Sequence, residues 1–412
     1  MSRSNSHDLA AAHTLESGSE SNSVRWFILA LIFFSRTAIG FQFQTVGSVA
    51  PNLTTELRFS YAEIGTLVGL FMMPGLILAI PAGWLGSMCP DRLLVALGLI
   101  ALALGGMLSA MTSDFSVLAA GRLLSGIGFV VSTLYFTKMT ADWFSRRELA
   151  TAMSVMVMSW PFGIAMGQIG HGWLASHSAW RYAFWSASGY CLLSATLVFA
   201  LYRPPKEVAS GISPSAGSAR LLKSEWMLLL IASVAWAAFN AAYVIYLSFA
   251  PRVLVSGGYE ELSAAATISL TSWVMLASGA ICGQIADRTK RSDRVLFVCL
   301  AVGIVALIAL HTTAYAAVWS LIFGLVGLAP AGIIMSLTGE AVSTERRAFG
   351  MGVFFTAYFL IVAPAPAIAG RIFDVTHWAF AAILFAIALL ALTGVANYGF
   401  RLAQRPLNRP DL

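Results

Sequence analysis

The chain has 412 residues, of which 58% are hydrophobic and only 11% charged, and its mean hydropathy is +0.78. Soluble domains carry about 25% charged residues, so this composition excludes a soluble globular protein and marks an integral membrane protein. The formal charge of +6 is spread between apolar runs rather than clustered, so no nucleic-acid partner is expected.

Residues 1–23 are polar and Ser-rich and lack an apolar h-region, which predicts a disordered cytoplasmic tail rather than a signal peptide. The run 24–50 that follows is long enough to cross a bilayer and serves as its own insertion signal. Within it, Arg36 lies 11 residues beyond Arg25, about 16 Å along a helix and near the middle of a ~30 Å hydrocarbon core. An arginine at that depth costs about 2.5–3.5 kcal/mol on insertion scales. Arg36, Gly40 and Gln44 share one stripe of the helix, offering a cation, close backbone access and an amide. Two readings stand: an anion site, or an arginine satisfied by helix carbonyls or a structural partner.

Eleven further apolar segments follow at about 61–85, 92–111, 115–137, 147–174, 180–202, 224–250, 262–286, 293–312, 314–338, 347–370 and 377–401. With the N-terminus inside, 19 of the 25 Lys and Arg fall in the termini or cytoplasmic loops. Four (Arg58, Arg181, Arg252, Arg371) fall outside, and two (Arg36, Arg122) fall within helices. This bias predicts both termini in the cytoplasm of a multi-pass inner-membrane protein. The stretch 203–223, rich in Pro, Ser and Gly, divides the helices six and six and reads as a cytoplasmic linker. Short echoes, Gly83-Trp84-Leu85-Gly86 with Gly283-Gln284-Ile285-Ala286 and Arg146-Arg147 with Arg346-Arg347, support a repeated unit. The predicted fold is therefore all-α: twelve transmembrane helices in two pseudo-symmetric six-helix bundles, 24–202 and 224–401, with a short tail at 402–412. Cys89, Cys191, Cys282 and Cys299 show no paired or metal-ligand spacing, and no metal or cofactor is expected.

Several motifs resemble those of the major facilitator superfamily, over residues 24 to 401. Gly283-Gln284-Ile285-Ala286-Asp287-Arg288-Thr289-Lys290-Arg291 is similar to its loop signature G-x-L-A-D-R-x-G-R-R, while the first-half copy has Ser87 in place of the aspartate. Gly121-Arg122-Leu123-Leu124-Ser125-Gly126-Ile127-Gly128 resembles the R-x-x-x-G-x-G element of helix 4, and Trp180-Arg181-Tyr182 is typical of the start of helix 6. The resemblance implies alternating access, with Gly283, Asp287, Arg288 and Arg291 latching the cytoplasmic side; separately, Pro364 and Pro366 free backbone carbonyls and are expected to bend helix 11, as a static kink or a gating hinge. The resemblance also implies a central cavity lined by helices 1, 4, 7 and 10. That selects Arg36, Gln44, Arg122, Trp236, Asn240 and Tyr243 as candidate substrate-binding residues, with Tyr135 and Tyr246 nearby.

Asn240, Tyr243 and Trp236 share a helix face that can hydrogen-bond and stack on a planar solute, or can simply pack. Guanidinium groups bind carboxylates and planar oxyanions bidentately, whereas Arg122 occupies a position that also suits a structural or coupling role. The two arginines are similar to those of organic-anion symporters, but Ser35 and Phe129 stand where that branch often has acids. The run from Arg36 to Leu53 is also similar to the cyanate-transporter-like branch. All 19 acidic residues fall in tails, loops or helix ends, so anion exchange or uniport is expected in place of carboxylate-driven proton symport. His171 and His311 are expected as satisfied histidines near the periplasmic surface. Helix 5 carries Trp160-Pro161-Phe162-Gly163 without the G-P-x-x-G-G run of drug antiporters, and its glycines read as packing positions. The leading reading is a monomeric, non-enzymatic transporter of a small anion in contact with membrane lipid. The alternatives are efflux of amphipathic compounds and a receptor built on the same fold. Substrate, direction and coupling ion are not legible.

Overall fold

The computed structural model describes residues 4–78, 81, 89–144, 148–205, 221–343 and 346–404. Twelve helices are long and apolar enough to span a membrane. They are α1 (Val24–Glu56), α2 (Tyr61–Leu78), α3 (Asp91–Ala110), α4 (Phe115–Trp143), α5 (Thr151–His177) and α6 (Arg181–Leu201), then α7 (Lys223–Ser256), α8 (Glu261–Thr289), α9 (Ser292–Thr312), α10 (Ala316–Ala341), α11 (Phe349–Thr376) and α12 (Ala379–Gln404). The protein is an all-α, twelve-helix membrane protein. The backbone of α1 is helical from Ser4, where a disordered tail was expected, and it also runs past residue 50. Pro51 stays inside the helix, with its carbonyl taken by the Thr54 and Thr55 hydroxyls at 2.7 and 3.0 Å.

Helix ends follow local chemistry. Ser60 and Glu63 form a capping box at the start of α2, and Asp114 accepts the first free N–H groups of α4 from Ser116 and Val117. Lys290 turns into the left-handed region to end α8 (φ 52°). Pro364 breaks α11 between Val362 and Ala365, where its missing N–H leaves a helical bond unmade. A single π turn, Phe323–Gly327, interrupts α10.

Packing divides into two sets. In the first, α1 lies on α5 and α6, and α3 on α4 and α6; in the second, α7 lies on α11 and α12, and α10 on α8 and α9. Lipid supplies no hydrophobic drive between helices, so close approach depends on small residues. At the α1–α5 crossing a Cβ on Gly40 or Gly163 would strike the opposite main chain. The two sets meet through α2 with α11 and α5 with α8. We call the end where α1 begins and α12 finishes the near end, and the opposite one the far end. The hydrogen bonds and ring contacts that join the sets among the described residues lie at mid-depth or toward the far end. The far end is bridged, and at the near end no such bond between the sets is found among the described residues.

Candidate functional site

Arg36 stands on α1 at mid-depth and is 8% exposed. Its Nη1 donates to the Met156 carbonyl at 2.9 Å, to Ser159 Oγ at 3.0 Å and to the Val157 carbonyl at 3.4 Å. The sequence of α5 creates this acceptor set. Pro161 has no N–H, so the carbonyl four residues earlier, that of Val157, has no helical partner. Ser159 Oγ itself donates to the Met156 carbonyl at 2.6 Å. The other edge of the guanidinium is unused. Nε is buried without a partner, and no hydrogen bond to Nη2 is found among the described residues. Two parallel N–H groups on one edge are what a carboxylate takes bidentately.

The rest of the stripe faces α5 and leaves no backbone open to a ligand. Gly40 is filled by the main chain of Trp160 and Gly163. Gln44 is buried, and its amide donates to Gln168 Oε1. Ser48 Oγ donates to the Gly167 carbonyl at 3.2 Å. His171 is not at the surface; it is buried one turn beyond Gln168, with Nε2 2.9 Å from the Phe41 carbonyl and its ring 4.1 Å from that of Phe41. A helical period shows which residues share a face, but not whether that face meets a cavity or a neighbouring helix.

Arg122 is 0% exposed and has no free edge. Nε donates to the Leu67 carbonyl at 3.0 Å, Nη2 to the Phe43 carbonyl at 3.1 Å, and Nη1 to the Gln42 carbonyl and Thr45 Oγ1 at 3.3 Å each. Its guanidinium lies 4.7 Å from the Phe71 ring centre, a cation–π geometry. These contacts clamp α1, α2 and α4 together, the geometry of a structural residue.

The α7 residues part company. Tyr243 is buried, its hydroxyl 2.7 Å from Ser272 Oγ on α8, and Tyr246 is 2.7 Å from Thr271 Oγ1. Trp236 and Asn240 are half-buried, and the Asn240 amide donates to the Trp236 carbonyl at 2.8 Å. At the near end of α8, Asp287, Arg288 and Arg291 are exposed and Gly283 half-buried. No side-chain hydrogen bond or ion pair of Asp287, Arg288 or Arg291 is found among the described residues. The first-half copy around Ser87, and Arg146-Arg147, lie outside the described residues. Among the described residues the ion pairs at this end are instead Lys138 with Asp91 and Asp142, Arg25–Glu148, Arg346–Glu225 and Arg401 with Asp293 and Glu340.

Sequence reasoning missed an aromatic layer at the level of Phe43, about two turns along α1 from Arg36. Phe43, Phe71, Phe129 and Trp160 form a ring of four contacts with centroids 5.2–5.4 Å apart, and Phe129 reaches Phe359 of α11 at 6.3 Å. Phe129 was noticed only for the acid it replaces and Trp160 only for the proline after it. Trp160 of this layer follows Ser159, the hydroxyl that Arg36 contacts, and rings of this kind can pack on the planar or apolar body of an organic anion.

Residues 32–366 match the Major Facilitator Superfamily. The chain belongs to that family. It is a transport protein, and its resemblance to organic-anion members is shared by its relatives. It is 23% identical over 384 residues to the YycB transporter of Bacillus subtilis, covering 91% of this chain and 93% of that one. It is 25% identical to the gallate transporter of Pseudomonas putida (81% and 80% covered) and 23% identical to the 3-(3-hydroxy-phenyl)propionate transporter of Escherichia coli (86% and 88%). Among solved structures, a bacterial homologue of the human lysosomal transporter Spinster, inward-facing and occupied, superposes with a TM-score of 0.72 at 16% identity. It covers 92% of this chain and 97% of that chain, and so shares the fold.

Proposed function

We propose that this chain moves a small organic carboxylate across the cytoplasmic membrane by alternating access. The moving parts are the halves 24–202 and 224–401, joined by the linker 203–223. The termini are cytoplasmic, so the near end faces inward, and the monomer is the working unit. The observation that carries the reading is the unused Nε–Nη2 edge of Arg36 in low dielectric, where a charge-assisted pair is strongest. Trp160 and Phe129 would face the body of the substrate, and Trp236 and Asn240 would supply a wall from the other half. Gln44 holds the α1–α5 seam, and Tyr243 ties α7 to α8. Arg122 keeps the first half rigid. Two of the named relatives carry carboxylates, which supports the substrate class. Within the twelve spans, every described Asp and Glu sits near a helix end, which favours exchange or uniport.

The test is a thermal-shift panel on purified protein with gallate, 3-(3-hydroxyphenyl)propionate, galactonate, nitrate, cyanate and tetraphenylphosphonium. A ligand at a hundredfold excess over its Kd stabilises by about 2.7 kcal/mol. At least one carboxylate is expected to raise the melting temperature of wild type and to leave Arg36→Lys, which keeps the charge but loses the planar fork, unmoved. Stabilisation by the cation alone, equal in the variant, would point to efflux and leave Arg36 structural.

A further inference from the structure

The far-end seam is centred on Tyr61, the first residue of α2. The two oxygens of Asp374, at the end of α11, accept the main-chain N–H groups of Tyr61 and Ala62 at 2.9 and 2.8 Å. These are two of the N–H groups that a helix start cannot satisfy itself, and the carboxylate lies at the positive end of the helix dipole. Ser60 Oγ takes the N–H of Glu63, so the capping of α2 is split between its own half and the other. From α7, Arg252 Nε donates to the Tyr61 hydroxyl at 2.6 Å, with its guanidinium 5.5 Å from the ring centre. Arg252 is also 3.6 Å from Glu261, a side chain 58% exposed. Phe373 lies against the same ring at 4.0 Å. Below the seam, a cavity of about 60 Å³ between α1, α5, α7 and α8 is lined by Ser48, Gln168, Ser248 and Arg252.

We propose that Asp374 and Arg252, converging on Tyr61 from the second half, are the releasable latch of the far-end gate, and that opening this end requires both to let go of α2. The chemistry suits a latch. Deep in the membrane a broken hydrogen bond leaves an unsatisfied group, whereas at this half-exposed seam water can replace each bond as it breaks. Ser60 and Glu63 remain to cap α2 when Asp374 leaves, so the helix keeps its first turn in the open state. The apolar contacts of α2 with α11 set the fit of the closed state; the two charged groups set how long it lasts. The proposal rests on the seam alone and does not depend on which solute is carried.

The test needs no substrate. A Ser248→Cys reporter, 7% exposed in the closed cavity, is placed in a Cys89→Ser background, since the other native cysteines are buried. Its rate of reaction with a water-soluble maleimide is measured on purified protein. Asp374→Ala and Arg252→Gln are each expected to raise that rate by about tenfold, the scale set by one charge-assisted hydrogen bond. Asp374→Asn should raise it less, since an amide oxygen still accepts one N–H. Tyr61→Phe should match Arg252→Gln, and the double variant should add nothing to either. Asp374→Asn and Tyr61→Phe change almost no volume, so they decide the matter if a harsher variant does not fold. Wild-type labelling rates in Asp374→Asn, Tyr61→Phe and Arg252→Gln would overturn the proposal.

Discussion

Two arginines lie within the spans, Arg122 bonded at the level of residues 42–45 of α1 and Arg36 about two turns closer to the near end, and what surrounds each separates their roles. Arg122 spends every nitrogen on main-chain carbonyls and Thr45 and rests on Phe71; Arg36 spends Nη1 and keeps one edge free. Removing Arg122 therefore deletes a clamp and leaves polar acceptors facing a void, each costing about 1–3 kcal/mol. Arg122→Met is expected to lower stability by about 3 kcal/mol or more, measured as a fall in melting temperature. The added stabilisation by a bound carboxylate should persist in whatever fraction folds. Arg36→Met should do the reverse, losing the ligand response with a smaller fall in baseline stability. Equal loss of ligand response in both would make Arg122 a binding residue.

At the scale of helices, α2 and α11 touch through main chain. A Cβ on Gly65 would strike the Pro366 carbonyl and one on Gly69 the Ala363 carbonyl, close to where Pro364 breaks α11. A carbonyl of a helix cannot rotate aside, so Gly65→Ala must part the two helices. The expected result is a destabilisation of about 1–3 kcal/mol together with faster labelling of the Ser248→Cys reporter. Gly189→Ala on α6, where nothing lies within 4 Å, should be neutral or stabilising by up to about 1 kcal/mol. The sequence announced these helices well: charges and turn residues bracket each apolar run, and membrane burial makes the brackets sharp. It did not announce their partners. The 36–40–44 stripe was read correctly as one face, but that face meets α5, because the small residues that admit a ligand also admit a helix. Tyr243 was placed with Trp236 and Asn240 on spacing alone, and only Ser272, some 30 positions on, draws it away. Asp374 and Tyr61 are more than 300 residues apart, beyond the reach of any local pattern.

Among the described residues, the hydrogen bonds and ring contacts that join the two halves lie at mid-depth or toward the far end, so the alternating access proposed above has to part them. Transport then requires the far end to open, and this can be blocked without touching the site. A Cβ placed on Gly172 of α5 would lie 3.9 Å from that of Ala265 on α8, within the 3.5–4.5 Å or so that a disulfide spans between its Cβ atoms. Gly172→Cys with Ala265→Cys is therefore expected to oxidise readily and bolt the first half to the second at the far end. Oxidised protein in liposomes should lose counterflow of the carboxylate that stabilises wild type, and dithiothreitol should restore it. Binding should survive, since Arg36 lies toward the near side of the bolt, so the thermal shift by that carboxylate should be the same before and after reduction. The two readouts separate the possible causes of failure. If binding falls along with counterflow, the bolt has distorted the site; if counterflow continues through fully oxidised protein, the far-end seam does not open during transport, and the solute passes by a route that does not part α5 from α8.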